Sequence, residues 1–169
     1  ARAGGELPAV ALARLYGEGS GARAARAHLL GALASARFAD VVVDVAGEAI
    51  PAHRAILAAR HSWFRAAFAW ADRADGAGAV ARVALPHDEL GGADGAAARP
   101  LLAYLYTGHR AERDALVARH AARGTLVELA YCLDALLCAA AARAALARAA
   151  DALDDANAPA LLRVARELG

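Results

Sequence analysis

The strongest β-strand signal in this chain is the run Val41 to Val45, and the pattern that follows it limits the folds open to the sequence. Four of these five residues are valine, a β-branched residue that favours strands. Gly47 follows in a candidate two-residue turn, since glycine tolerates the positive φ that such turns require. Residues 49–53 are the predicted return strand. Because Pro51 cannot donate a ladder hydrogen bond, this strand should lie at a sheet edge or be bulged.

Helical periodicity dominates the rest of the chain. Residues 54–69 are predicted to form one helix, with Leu57, Phe64 and Phe68 on a single face. The other predictions are a loop over 72–78, a helix over 22–36, a strand over 80–85, a helix over 96–107 closed by Gly108 in a left-handed cap, and nearly continuous helix from residue 111. Strands and helices are mixed without strict alternation, which predicts an α+β fold with a small sheet capped by helices.

Composition excludes several classes of function. The formal net charge is +1, and arginines alternate with acidic residues, so the sequence lacks the basic stripe of a nucleic-acid-binding domain. The longest apolar runs, such as residues 136–142, are too short to span a bilayer, and we expect no membrane partner. Cys132 and Cys138 lie in an apolar helical run and read as reduced, buried thiols, which favours a cytoplasmic location.

No arrangement of residues predicts catalysis, a cofactor or a metal site. The six histidines are dispersed, and neither His-x-x-x-His nor Cys-x-x-Cys spacing occurs. His53 has no nucleophile or orienting carboxylate at a readable spacing, so we interpret it as a structural histidine. The chain is therefore expected not to be an enzyme.

Several short segments, taken in order, resemble one known family. They are Asp40-Val41, Ala52-His53-Arg54, Ile56-Leu57, Phe64 with Phe68, Val83 to Pro86, Leu101 to Gly108, and Leu126 to Ala130. This set is similar to the BTB/POZ domain family over about residues 28–150. The resemblance implies a protein–protein interaction module that binds a second copy of itself.

The resemblance also suggests the domain organisation. Residues 1–21 are predicted to be an N-terminal extension and flexible joint, since they end in a Gly/Ser cluster. Residues 22–150 would form the BTB/POZ-like domain. Residues 151–169 are similar to the start of a BACK helical region, although an unrelated terminal helix fits them equally well.

A homodimer interface is predicted on two grounds. Leu29, Leu30 and Leu33 give the first helix an apolar edge that a second copy would hide from water. The resemblance further implies that Asp40 and Arg54 form a charged pair lining the dimer groove. The alternative is an ordinary ion pair within one chain.

Partner recruitment is predicted at aromatic and acidic residues, namely Phe68, Trp70, Asp72, Tyr104 and Tyr106. Cullin-binding members of the family carry an apolar-x-Glu element shortly after the position of Phe68. Trp70-x-Asp72 is a loose, shifted version of it, and an arginine-rich insert over 112–124 replaces the usual short strand or turn. Two hypotheses stand nearly level: an adaptor that joins an unknown target protein to a cullin-based ubiquitin ligase, and a structural subunit of a larger assembly.

Overall fold

The computed structural model describes residues 20–45, 47–75, 81–85 and 98–152, with isolated positions between 158 and 166. In chain order the described elements are α1 (Ser20–Ser35), β1 (Val41–Val45), β2 (Glu48–Ala52), α2 (Arg54–Arg60), α3 (Ser62–Asp75), β3 (Ala81–Ala84), α4 (Ala98–Thr107), α5 (Arg110–Ala121), α6 (Leu126–Ala135) and α7 (Ala139–Asp151). The predicted α+β class is confirmed. Most of the predicted N-terminal extension and last helix lies outside the described residues, so the domain boundaries stay predictions.

The three strands form one sheet in the order β2-β1-β3. β1 and β2 make the predicted antiparallel hairpin, and Gly47 in its turn has φ of 78°. Pro51 lies on β2, an outer strand, as expected for a residue that cannot donate to a ladder. β3 pairs with β1 in parallel, and the chain between these two strands passes through β2 and the crossover helices α2 and α3.

The helix predicted over 54–69 is two helices, because the chain is extended at His61, where φ is −132° and ψ is 121°. The His61 ring donates from Nε2 to the carbonyl oxygen of Leu105, 2.9 Å away in α4. A tertiary hydrogen bond of this kind is invisible to helical periodicity. The loop predicted over 72–78 is also wrong in its first half, since α3 continues to Asp75.

The core lies between one face of the sheet and the helices. Its largest fully buried side chains include Phe64 of α3 and four residues of α4, namely Leu101, Leu102, Leu105 and Tyr106. Gly108 ends α4 at φ of 60°, and its N–H donates to the carbonyl of Tyr104, so the left-handed cap is confirmed.

Alanine packs the C-terminal part of the described chain. Ala141, Ala145 and Ala149 are buried and follow one another at intervals of four along α7, which places them on one face. α7 packs against α6, and the small side chains let the two helix backbones come close. No described helix is long and apolar enough to cross a membrane.

Candidate interaction surfaces

The junction between hairpin and helices is fastened by His53 and Tyr106. The Tyr106 hydroxyl accepts from the backbone N–H of His53 at 2.7 Å and lies 2.9 Å from Nδ1 of the same residue. Nε2 of His53 lies 2.7 Å from the carbonyl oxygen of Arg37 and donates a hydrogen bond to it, since a carbonyl can only accept. Nδ1 of the neutral ring therefore accepts a hydrogen bond from the Tyr106 hydroxyl. Burial raises the pKa of Tyr106 to about 12. Both ring nitrogens of His53 are therefore engaged in holding structure.

Asp40 caps α2 from outside the helix. Its Oδ1 accepts from the backbone N–H of Arg54 at 2.7 Å, while His53, the residue before the helix, makes no side-chain cap bond. A carboxylate at a helix N-terminus satisfies an otherwise unpaired donor and interacts favourably with the helix dipole. Asp40 and Arg54 are thus adjacent, as the resemblance implies, but the carboxylate of Asp40 bonds the backbone N–H of Arg54 and not its guanidinium.

The guanidinium of Arg54 is paired with Asp72 instead. Its Nη2 donates to both carboxylate oxygens of Asp72, at 2.8 Å and 2.7 Å, and its carbon Cζ lies 5.0 Å above the ring centre of Phe68. The expected Asp40–Arg54 charged pair is therefore corrected to an Arg54–Asp72 pair across α2 and α3. Aromatic stacking under the planar guanidinium favours this position over one beside Asp40.

The predicted apolar edge of α1 is only partly exposed. Leu33 is buried, whereas Leu29 and Leu30 are half-buried and Leu29 packs against the core. An open apolar groove of about 340 Å³ runs between α1 and α4. Its lining is Leu30, Leu33, Ala34, Arg99, Pro100 and Ala103.

Phe38 is a prominent surface residue that the sequence reasoning missed. It lies in the turn after α1, has φ of 61°, and is 87% exposed. A non-glycine residue in this left-handed region costs about 1–2 kcal/mol. Nothing in the sequence predicts the positive φ of Phe38. Its place between a predicted helix and a predicted strand was the one sign that this aromatic residue could lie at the surface. The Arg37 guanidinium lies 5.5 Å from the Phe38 ring centre and covers part of it.

The residues predicted for partner recruitment do not share one surface. Phe68 and Tyr106 are buried in the core, so their side chains pack within the chain itself. Tyr104 is half-buried, and burial raises its pKa above the ordinary value. Trp70 and Asp72 are exposed, and Trp70 keeps 70% of its surface accessible. The interface assignment of Trp70, Asp72 and Tyr104 stays a prediction.

Trp70 belongs to a second groove, between α3 and β3. This groove has a volume of about 670 Å³, about twice that of the groove between α1 and α4. Trp63 lies in the same groove and packs edge-on against Phe64 with ring centres 5.0 Å apart. We call it the tryptophan groove.

The contact between His61 and Cys138 is structural. Since Nε2 of His61 donates to Leu105, its Nδ1 accepts from the Cys138 thiol, 3.6 Å away. Burial lowers the pKa of His61 and raises that of Cys138 to about 11, so both groups are neutral at pH 7. Within the described ranges, no group of three or more potential ligands could hold a metal ion.

The arginine-rich insert forms helix α5 and is tied to α1. Glu112 accepts from Nε of Arg26 at 2.8 Å and also from Nη2, and Thr107 donates to its other oxygen at 3.3 Å. Partial burial alone would raise the pKa of Glu112, but the bonds from Arg26 and Thr107 outweigh it and the pKa is lowered. Leu116, Val117 and His120 face the core.

Comparison with known proteins agrees with this architecture. The family model described as "BTB/POZ domain" matches residues 30–132, which is more than half of the chain. The matched range begins in α1 and ends in α6, so it includes the hairpin, the crossover helices and the hydrogen bonds between Tyr106 and His53, which we call the Tyr106 tether. A search of the curated proteins finds no match. The chain belongs to the BTB/POZ domain family, whose domains are protein–protein interaction modules.

Proposed function

We propose that this domain binds a second copy of itself through the α1 surface and recruits another protein at the tryptophan groove, with no catalytic role. The observation that carries the proposal is the exposure of two large aromatic side chains, Phe38 in the turn after α1 and Trp70 in the lining of an apolar groove. Exposed aromatic residues beside such grooves are typical of binding surfaces. The two buried cysteines support a reducing location such as the cytoplasm.

Self-association is supported by the surface at the end of α1. Phe38 lies in the turn after this helix, and Leu30 and Ala34 of the helix line the groove between α1 and α4. A two-fold dimer would cover the same patch on both copies. Each Å² of apolar surface so covered contributes about 25 cal/mol, before the costs of association are subtracted.

Analytical ultracentrifugation of the 169-residue chain tests this first part. We expect a dimer at tens of micromolar, and the double variant Leu30→Ser, Phe38→Ser should shift the equilibrium to monomer. Leu137→Ser is the matched control, because Leu137 is also a large exposed side chain, at 69%. A monomeric parent protein would contradict self-association, and equal effects of the two variants would place the interface elsewhere.

The adaptor role is the first candidate for recruitment. Trp70-x-Asp72 resembles the apolar-x-Glu element of cullin-binding members, and Trp70 is exposed as such an element requires. A pull-down with a purified cullin N-terminal region tests it. We expect binding at micromolar concentration that Trp70→Ala abolishes and Leu137→Ala preserves. Absence of binding by the parent protein removes the adaptor role.

A structural subunit of a larger assembly is the second candidate, and one observation favours it. Both carboxylate oxygens of Asp72 already accept from Arg54, so the acidic part of the element is engaged within the chain. Arg54→Ala would release this carboxylate. If the adaptor role holds, this variant should bind the cullin region at least as well as the parent. Binding by neither protein would remove the adaptor role and leave the structural subunit as the remaining candidate.

A further inference from the structure

The tryptophan groove has a helix on one side and the edge of a sheet on the other. Trp63 and Trp70 lie about two helical turns apart on α3 and face the groove with alanines between them. Its full lining is Trp63, Ala66, Ala67, Trp70, Ala71, Arg82, Val83 and Ala84. The last three residues belong to β3.

The outer edge of β3 has no strand beside it in the described part of the chain. β3 is the last strand in the order β2-β1-β3. On its inner edge, Val83 aligns with Val43, and the N–H of Leu85 donates to the carbonyl of Asp44 at 3.0 Å. Because backbone groups alternate in direction along a strand, Arg82 and Ala84 point their N–H and C=O groups outward. Such groups are a template for another extended chain.

The lining shows which kind of chain would fit. Arg82 is its single charged side chain, and Asp44 neutralises it through bonds of 2.5 Å and 2.8 Å. The rest of the lining is alanine, valine and tryptophan. A charged occupant would lose hydration here without gaining a partner. A helix would bring apolar side chains but could not pair with the backbone groups of Arg82 and Ala84.

We propose that the tryptophan groove binds an extended, uncharged segment of a partner protein as a fourth strand beside β3. Its backbone pairs with Arg82 and Ala84, and an apolar side chain packs between Trp63 and Trp70. Strand addition of this kind obtains affinity from main-chain hydrogen bonds and specificity from the side chains at alternate positions. The inference rests on the proposed recruitment at this groove and names the form of the partner.

The probe is a displayed library of random eight-residue peptides, selected on the 169-residue protein. We expect enriched peptides with apolar residues at alternate positions. The chain contains only two tryptophans, and both line the groove, so intrinsic fluorescence reports binding directly. Trp70→Ala should weaken the best peptide at least about tenfold, as expected for an aromatic anchor, while Leu137→Ala should leave its Kd unchanged.

Two N-methylated forms of that peptide distinguish strand addition from simple apolar burial. Methylation of alternate amides on the pairing edge should abolish binding, whereas methylation of the intervening amides should be tolerated. Hydrogen exchange at the amides of Arg82 and Ala84 should slow on binding, while Val83, already bonded to β1, should not change. Equal loss with both methylated forms, unprotected amides, or no enriched peptide overturns the inference.

These outcomes are separable from those of the proposed function. Cullin binding by a protein that accepts no extended peptide would overturn this inference and leave the adaptor role intact. Peptide binding without cullin binding would remove the adaptor role and support strand addition. Self-association is measured by sedimentation and depends on neither result.

Discussion

The Tyr106 hydroxyl bonds two atoms of His53 at once, the backbone nitrogen at 2.7 Å and Nδ1 at 2.9 Å. The two residues come from parts of the chain that are far apart in sequence, the start of α2 and the end of α4. Through Nε2 of His53 the same contact reaches the carbonyl of Arg37, next to Phe38. Tyr106 thereby fixes the hairpin, two helices and the turn that presents Phe38 relative to one another.

Removal of this hydroxyl should therefore destabilise the fold. Tyr106→Phe leaves the N–H and Nδ1 of His53 without their partner, which should lower the free energy of unfolding by about 1–3 kcal/mol. Urea unfolding followed by circular dichroism measures it. Tyr104→Phe is the control, because Tyr104 is half-buried and neighbours the same helix end. Equal losses for the two variants would show that the tether contributes nothing specific.

Asp40 should act on stability as a helix cap. Asp40→Ala should lower the free energy of unfolding by about 1 kcal/mol, because the N–H of Arg54 loses its acceptor. Asp40→Asn keeps an oxygen in place and should retain most of the stability. Thermal unfolding of the two variants at one protein concentration compares them. If Asn is as harmful as Ala, the carboxylate acts through its charge and the capping bond is not what matters.

Gly108 and Gly31 should respond in opposite directions to alanine. At Gly108, φ is 60° and an added Cβ would lie 2.3 Å from Nη2 of Arg60, so Gly108→Ala should destabilise by about 1–2 kcal/mol. At Gly31, within α1, an added Cβ meets nothing within 4 Å, and Gly31→Ala should stabilise by about 0.5–1 kcal/mol. Denaturant midpoints measure both changes. A stabilised Gly108 variant would contradict the cap described for α4.

Stability should fall on mild acidification because of His120. This side chain is 1% exposed, and its Nε2 is buried without a hydrogen-bond partner in the described structure. Burial first, and then Arg123 and Arg119, lower its pKa against the opposing effects of Thr125 and Glu128. The unfolded chain therefore binds a proton before the folded chain does, and stability present above about pH 6.5 is lost as the pH falls toward the folded pKa.

Unfolding free energies measured between pH 5 and pH 8 check this expectation. Below about pH 6.5, the slope of the parent protein's unfolding free energy against pH should approach 1.4 kcal/mol per pH unit for each such histidine. Burial also lowers the pKa of His61, so His61 contributes to the slope with the same sign. His120→Asn should reduce the slope, because it removes the buried ring whose pKa is lowered. A slope unchanged by His120→Asn would mean that this ring binds protons equally in the folded and unfolded chains, which would contradict a lowered pKa.

The two cysteines should be unreactive in the folded state. Burial raises the pKa of Cys132 to about 12 and that of Cys138 to about 11. Since the thiolate is the reactive form, labelling of Cys138 by iodoacetamide at pH 8 should be more than about 100-fold slower than that of an ordinary exposed thiol. Mass spectrometry of native and urea-unfolded protein measures both rates. Rapid labelling of the native protein would show that α6 and α7 open readily.

Several features of the site depended on long-range contacts that periodicity does not record. Arg54 and Asp72 look unrelated in sequence, yet packing of α2 against α3 brings them together over Phe68. The break at His61 coincides with the bond of its ring to Leu105, and the face that Trp63 and Trp70 share on α3 becomes one wall of a groove only because β3 lies beside it. In each case the contacting residue lies in another helix or strand, so the local sequence pattern could not predict the contact.

The amino-acid sequence by itself determined the hairpin around Gly47, the order in which most helices and strands follow one another along the chain, the cap at Gly108 and membership of the BTB/POZ family. These features follow from local propensities and from short motifs in a fixed order. Only the tertiary structure decided which apolar residues stay exposed, which turned Phe68 and Tyr106 into core residues and left Phe38 and Trp70 at the surface. The reason is physical: an apolar side chain is buried when neighbouring elements cover it, and that coverage is a property of the assembled fold.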